Sequence, residues 1–391
     1  MVMPAFTTEE YRARVAGLRR KMAERGMDAL LVLEEANLNY LTGYAGYSAY
    51  VPQAALVLQD DEDPWLILRE LDTHGAAVEA YLPETRILSY TEAFIGSKTL
   101  SAWQPIGQFV RERVKSNRIG LEMSGAMSRT LGPKDYAVLS KTLGVDEFID
   151  ADGLVSTLKA IKSPAEIVYM EQAGKIADRA MLEAKKHIAV GVRECDVAAA
   201  VQHALTSGTP EIPGGHGPIS MPNMAVGWPA NMCHSKWGDG SYKNNTQTNF
   251  EMGAFRHRYV AAVSRSIFLG EPPARSRHVH QACLDGWHAA FATLRPGVRS
   301  TDVEQAFRRA FAPYGVRKES RMGYSIGLDW VDGGPSFLEG DETEIQENMT
   351  FHMLIGIWEK SDGYIFSETV HVNKQGARSF SSLSRDMFVN Q

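Results

Sequence analysis

The heptad Gly191-Val192-Arg193-Glu194-Cys195-Asp196-Val197 returns later in the chain as Gly297-Val298-Arg299-Ser300-Thr301-Asp302-Val303. Each copy follows a stretch with long helical periodicity and precedes a shorter one. A repeated turn between repeated helices predicts two αβ halves related by a pseudo-two-fold axis, with a site enclosed between them. This limits the second part of the chain to a duplicated architecture.

The 391 residues suggest two domains, or three at most. The boundary is marked by Lys162-Ser163-Pro164-Ala165-Glu166, with Ser163 as N-cap, Pro164 at the first helical position and Glu166 closing a capping box. Upstream, residues 8–26 read as an amphipathic helix, with Tyr11, Val15, Leu18 and Met22 on one face and Gly26 as a stop. Strands are expected at Ala29–Leu33, Ala54–Leu58, Trp65–Arg69 and Arg118–Leu121, with a helix over 104–115. The acidic turn Asp60-Asp61-Glu62-Asp63 separates the second strand from the third. The reading is α/β (α+β): an N-terminal α/β domain over 1–157 and a duplicated domain over 158–391.

Forty-one basic and 47 acidic residues leave a net charge of −6, which disfavours non-specific nucleic-acid binding. Cys195, Cys233 and Cys283 form no CxxC pair, which argues against a disulfide scaffold or a thiolate zinc site. No apolar run is long enough to span a bilayer, and the N-terminus has no signal-peptide pattern. The expectation is a cytoplasmic protein without membrane or nucleic-acid partners.

Several segments resemble the pita-bread superfamily of methionine aminopeptidase, prolidase, aminopeptidase P and creatinase. They are Asn39-Tyr40-Leu41-Thr42-Gly43-Tyr44, the linker Leu158 to Ile167, and Ser264-Arg265-Ser266-Ile267-Phe268-Leu269-Gly270. The resemblance implies a creatinase-like N-terminal domain, a pita-bread catalytic domain and a homodimer. The metallopeptidase members hold two metal ions with two Asp, one His and two Glu. On this chain those positions fall on Glu251, Ala262, Tyr324, Leu354 and Ser367, with Glu368 beside the last. Ala and Leu cannot bind metal, and the remaining carboxylates cannot hold a dinuclear cluster, so no metal and no cofactor is expected.

Creatinase is the superfamily's precedent for metal-free hydrolysis with a His base. The matching segment here is Gly227-Trp228-Pro229-Ala230-Asn231-Met232-Cys233-His234. With Glu251, Met221-Pro222-Asn223-Met224 and Pro213-Gly214-Gly215-His216-Gly217, the chain is most similar to the metal-independent branch that hydrolyses ectoine. The resemblance implies opening of a cyclic amidine carboxylate, ectoine or its hydroxylated form, to an N-acetylated diaminobutyrate. Glu251 would pair with the amidinium and attack it or hold water, His234 would protonate the departing nitrogen, and Tyr324 would give or take a hydrogen bond. Trp228, Trp237, Trp330 and Trp358 are candidates for an aromatic cage around the cation. His216 is a candidate for the mouth, and Tyr47 for closing a partner subunit's site. Three alternatives stay open: another creatinase-like C–N hydrolase, an Xaa-Pro metallopeptidase whose ligands have moved to neighbouring carboxylates and histidines, and a binding protein without catalysis.

Overall fold

A computed structural model describes residues 4–46, 50–123, 131–215, 217, 222–227, 230–360 and 362–391. It divides into two compact units, Met1–Lys159 and Ala160–Gln391.

The first unit runs α1 (Thr8–Glu24), β1 (Ala29–Val32), α2 (Glu35–Thr42), β2 (Ala54–Leu58), β3 (Trp65–Arg69), α3 (Thr73–Glu79), β4 (Ile87–Tyr90), α4 (Trp103–Arg113), β5 (Ile119–Leu121), α5 (Pro133–Leu143), β6 (Ile149–Asp150) and α6 (Leu154–Lys159). Its sheet has the order β4-β3-β2-β1-β5-β6 and mixes antiparallel with parallel pairs. Tyr11, Val15, Leu18 and Met22 are buried, so the helical stripe read from the sequence does face a core. The helix ends two residues before Gly26, which takes a positive φ of 68°. The Asn39–Tyr44 motif is the end of α2. There Gly43 sits at φ 83°, and Asn39 Nδ2 donates to the carbonyls of Gly43 and Tyr44.

The second unit runs α7 (Pro164–His187), α8 (Glu194–Ser207), β7 (Asn223–Val226), β8 (Thr246–Arg256), β9 (Tyr259–Leu269), α9 (Ala274–Thr293), α10 (Ser300–Phe311), β10 (Gly323–Ser325), β11 (Thr350–Glu359), β12 (Asp362–Asn373), β13 (Gly376–Ser379) and β14 (Phe388–Asn390). Ser163 caps α7 with the reciprocal capping box expected from Glu166. The heptad repeat is a structural repeat. Both copies join a long helix to a shorter one, Gly191 and Gly297 take φ of 85° and 86°, and Arg193 and Arg299 occupy the N-caps of α8 and α10. Each turn also makes an isolated antiparallel bridge, Arg193 with Ser241 and Arg299 with Glu344.

The central sheet has the order β10-β11-β12-β9-β8-β7, with β13 on β12 and β14 on β9. Strand alternation splits it into two unlike faces. On one, Phe250, Met252, Val263 and Ile267 pack against Ile176, Ala180, Val197 and Val201 of α7 and α8. On the same face Phe351, Met353, Ile355 and Phe366 pack against Val279, Trp287, Val303 and Phe307 of α9 and α10. The other face carries the polar residues described next.

Candidate active site

The strand register decides which side chains meet. Asn223 is opposite Glu251, Glu251 opposite Ser264, Ser264 opposite Ser367, and Ser367 opposite Leu354. In the adjacent row Gly253 is opposite Ala262, and Tyr324 is opposite His352. Directly paired residues share a face, and so do residues two apart along a strand. Glu251, Ala262, Tyr324, Leu354 and Ser367 therefore project from one face in two neighbouring rows. The five positions inferred from the superfamily pattern are brought together in space.

Glu251 is 7% exposed. Asn223 Nδ2 donates to its Oε2 at 3.0 Å, and Lys236 Nζ donates to Asn223 Oδ1 at 3.1 Å. Burial pushes the Glu251 pKa above the ordinary glutamate value; the Asn223 hydrogen bond and the nearby charges of His234 and Lys236 pull it partly back. Lys236 is itself lowered by desolvation, with the Glu251 charge opposing. The site thus holds a desolvated carboxylate that a bound cation would stabilise.

The loop bearing His234 is fastened to the sheet by two side-chain amides. Asn249 Nδ2 donates to Ala230 O at 2.7 Å, and Asn231 Nδ2 donates to the carbonyls of Glu359 and Lys360 at 2.9 Å. Asn249 is itself fixed by Ser266 Oγ at 2.6 Å. His234 is exposed, with Nδ1 3.6 Å from Cys233 Sγ. It acts on Glu251 through charge rather than a direct hydrogen bond.

Tyr324 Oη accepts the indole N–H of Trp330 at 2.8 Å and lies 3.1 Å from His352 Nδ1. Desolvation and the Glu251 charge hold its phenol well above its ordinary pKa, so it stays protonated. Trp330 can lie against the sheet because residue 253 is glycine: a Cβ there would fall 2.4 Å from the Trp330 ring. Its ring meets His352 edge-on, at 5.7 Å and 90°. His352 is completely buried, and burial lowers its pKa to about 3. Its Nε2 is 2.7 Å from Ser367 Oγ, which is 2.7 Å from Ser264 Oγ.

Two of the expected cage residues are set apart from Trp330, one on the opposite face and one farther along the same face. Trp237 packs against the apolar cluster of α7, α8, Phe250 and Met252, on the sheet face opposite Glu251. Aromatic area without a cavity to line is most stable in a core. Trp358 lies at the far end of β11 and lines a hollow of about 470 Å³ with Arg317, Glu319, Ser320, Gly356, Glu359 and Lys360, which does not include Glu251, Tyr324 or His352. Among the described residues, Trp330 stands over the site. Trp228, His216 and Tyr47 lie outside the described residues.

The residues that could have replaced missing metal ligands are engaged in other contacts. Glu368 points to the helix-covered face, bonded to Arg265 and Arg385, each at 2.8 Å. Asp332 pairs with buried Lys162 at 3.1 Å, and Glu359 with Arg275 at 3.0 Å. Asp329 lies 3.7 Å from Arg258, and the His257 ring packs on Tyr169. Among the described residues no group of three or more His, Cys, Asp or Glu is arranged to hold a metal ion. The donors at the five ligand positions are one carboxylate, one phenol and one hydroxyl, a set that does not fit a dinuclear metal centre. His352, Ser264, Ser367, Asn223 and Lys236 are site residues that motif reading did not assign a role. The register, which aligns the first four with Glu251 and Tyr324, and the bond from Lys236 to Asn223 make them visible.

A duplicated αβ domain with a polar sheet face, preceded by a smaller α/β domain, defines the class. Residues 168–374 match the model of metallopeptidase family M24, and residues 14–161 match the creatinase/prolidase N-terminal domain. The chain belongs to family M24, with the pita-bread fold in its second unit. An uncharacterized hydrolase/peptidase of Sinorhizobium fredii is 36% identical over 98% of both chains. The ectoine hydrolase of Halomonas elongata is 30% identical over 98% of both chains. The Xaa-Pro dipeptidase of Pyrococcus horikoshii is 24% identical over 94% of this chain and 96% of its own. Among solved structures, the prolidase of Thermococcus sibiricus superposes with a TM-score of 0.85 at 16% identity, covering 98% of this chain and 100% of that one.

Proposed function

We propose that the protein is a metal-independent hydrolase that opens the ring of a cyclic amidine carboxylate, with ectoine as substrate and an N-acetylated diaminobutyrate as product. The observation that carries this reading is Glu251: a desolvated carboxylate on a face where the other four ligand positions are uncharged. A dipeptide with two metal ions needs several anionic ligands, whereas an organic cation needs one. Similarity to the ectoine hydrolase of Halomonas elongata supports the choice of cation.

In this reading the amidinium pairs with Glu251 and lies under the Trp330 ring, where cation–π attraction adds about 0.5–2 kcal/mol. Glu251 attacks the amidine carbon, a C–O bond forms, and the ring C–N bond breaks as the nitrogen takes a proton from His234. Water then adds at the same carbon and releases the carboxylate, leaving the acetamide. The working form is a homodimer, as the superfamily resemblance implies, and light scattering tests that separately.

The test is ectoine turnover followed by NMR, with excess chelator throughout, for wild type and Glu251→Gln. Turnover that survives chelation and falls at least ~10²-fold in the variant is expected. Activity lost on chelation together with about two metal ions per chain, or near-normal turnover by the variant, would overturn the reading. Cleavage of Xaa-Pro dipeptides in place of ectoine would favour the peptidase alternative.

A further inference from the structure

The row that once would have carried metal ligands is bridged by an uncharged chain of side chains: Ser264, Ser367, His352 and Tyr324, joined by contacts of 2.7, 2.7 and 3.1 Å. His352 is fully buried and, among the described residues, has no carboxylate for a hydrogen-bond partner, so its imidazole is neutral and carries one N–H. The four groups then hold four hydrogens for three contacts. One hydrogen is left over: Tyr324 carries it if Nδ1 bears the imidazole hydrogen, and Ser264 or Ser367 carries it if Nε2 does.

Hydroxyl hydrogens rotate, so the ends decide the polarity. The Ser264 and Ser367 side chains are both buried, and among the described residues their hydroxyls have no hydrogen-bond partner besides each other and His352. A surplus donor there would be left unsatisfied, which is costly. At the Tyr324 end the phenol projects from the site face with Glu251 within electrostatic reach. Its two lone pairs are taken by the Trp330 indole N–H and by His352 Nδ1 if that nitrogen carries the hydrogen.

We propose that His352, oriented by Ser367 and Ser264, is a positioning residue held as the Nδ1–H tautomer, and that it fixes Tyr324 as a hydrogen-bond donor into the site. The proposal rests on the cyclic-amidine reading and gives Tyr324 a defined task within it. An amidinium nitrogen has only N–H donors to offer, because its lone pair is delocalised into the carbon. As a nucleophile adds and the carbon becomes tetrahedral, that nitrogen regains its lone pair and becomes an acceptor. A phenol locked as donor and aimed at the amidinium nitrogen meets no acceptor there in the bound cation and gains one as the bond forms. It therefore favours the transition state over the ground state and acts on kcat rather than KM.

Three variants and one spectrum test this in the full-length protein. An Asn side chain places its amide near the imidazole Nδ1 position, and a Gln side chain reaches the Nε2 position. His352→Asn is expected to turn over ectoine at least ~10-fold faster than His352→Gln, and the Gln variant is expected to lose kcat with KM unchanged. Nitrogen-15 NMR of labelled His352 should show a neutral ring protonated at Nδ1 between pH 5 and 8. Ser367→Ala should convert that signal to a mixture of tautomers. An Nε2–H ring in wild type, equal rates for the Asn and Gln variants, or a loss confined to KM would overturn the proposal. If wild type opens no cyclic amidine, the functional reading fails, while the NMR result still decides the tautomer.

Discussion

Ser367 and Glu368 are adjacent in sequence and point to opposite faces of the same sheet. Ser367 joins the polar row through Ser264 and His352, whereas Glu368 is buried against Arg265 and Arg385. A β-strand alternates its side chains, so a carboxylate one residue out of register cannot substitute for the missing ligand. Removing one member of a buried ion group leaves the others uncompensated. Glu368→Gln should therefore destabilise the protein by about 3–5 kcal/mol in urea unfolding, while the folded fraction keeps its turnover. A variant of undiminished stability would show that Arg265 finds its partner elsewhere.

Glu251 must be ionised to pair with a cation or attack it. Its pKa is raised mainly by burial and held down in part by Asn223. Activity should thus fall on the acid side at a pH above the ordinary glutamate value, and Asn223→Leu should move that limb further toward neutral. The apo protein gives the complementary sign. A carboxylate whose folded pKa exceeds its unfolded one favours folding only as it becomes protonated, so that contribution is lost as pH rises through the folded value. At pH 7 Glu251→Gln should melt higher than wild type, by about 2 °C. Millimolar ectoine should raise the melting point of wild type and not of the variant. Pulsed-pH kinetics and a thermal shift assay read these effects directly.

Gly253 is set by the ring above it. A Cβ at this position would fall 2.4 Å from Trp330 and 2.9 Å from Val260. Gly253→Ala should displace the indole, break its hydrogen bond to Tyr324 and cost about 1–3 kcal/mol of stability. A red shift in tryptophan emission accompanied by a kcat loss of roughly tenfold is expected. An unchanged spectrum with full activity would show that Trp330 is not held against the sheet.

His352 ties stability to pH. Its folded pKa is lowered to about 3 from 6.5, so the unfolded chain binds a proton that the folded one refuses. Its contribution is present in full above pH 6.5 and is lost as pH falls toward 3, at about 1.4 kcal/mol per unit. His280 and His371 are also lowered by burial, and they titrate in the same window. The comparison is therefore between wild type and His352→Asn: the difference in unfolding free energy measured at pH 7 and at pH 5 should shrink in the variant. Parallel curves would contradict a buried neutral imidazole.

The sequence alone determined the elements whose causes are local. The Ser163 capping box, the glycines at 43, 191 and 297 and the short apolar strands Ala54–Leu58 and Trp65–Arg69 are written in neighbouring residues, because caps, positive φ and a short buried apolar run need only a few positions to specify them. Reading the superfamily positions also singled out Glu251, Tyr324, Ala262 and Leu354, since an altered ligand set is visible one residue at a time. Only the tertiary structure decided which neighbours they meet. Glu251 is 28 residues from Asn223 in the chain, and Tyr324 is 28 from His352. Strand register across β7 to β12 makes them partners. The same register sends Glu368 to the opposite face, while the segments between strands carry Trp237 to that face and Trp330 over the glycine that admits it. A tryptophan's place in a cage or in a core depends on surfaces that fold against it from distant segments, and no local pattern of residues encodes those surfaces.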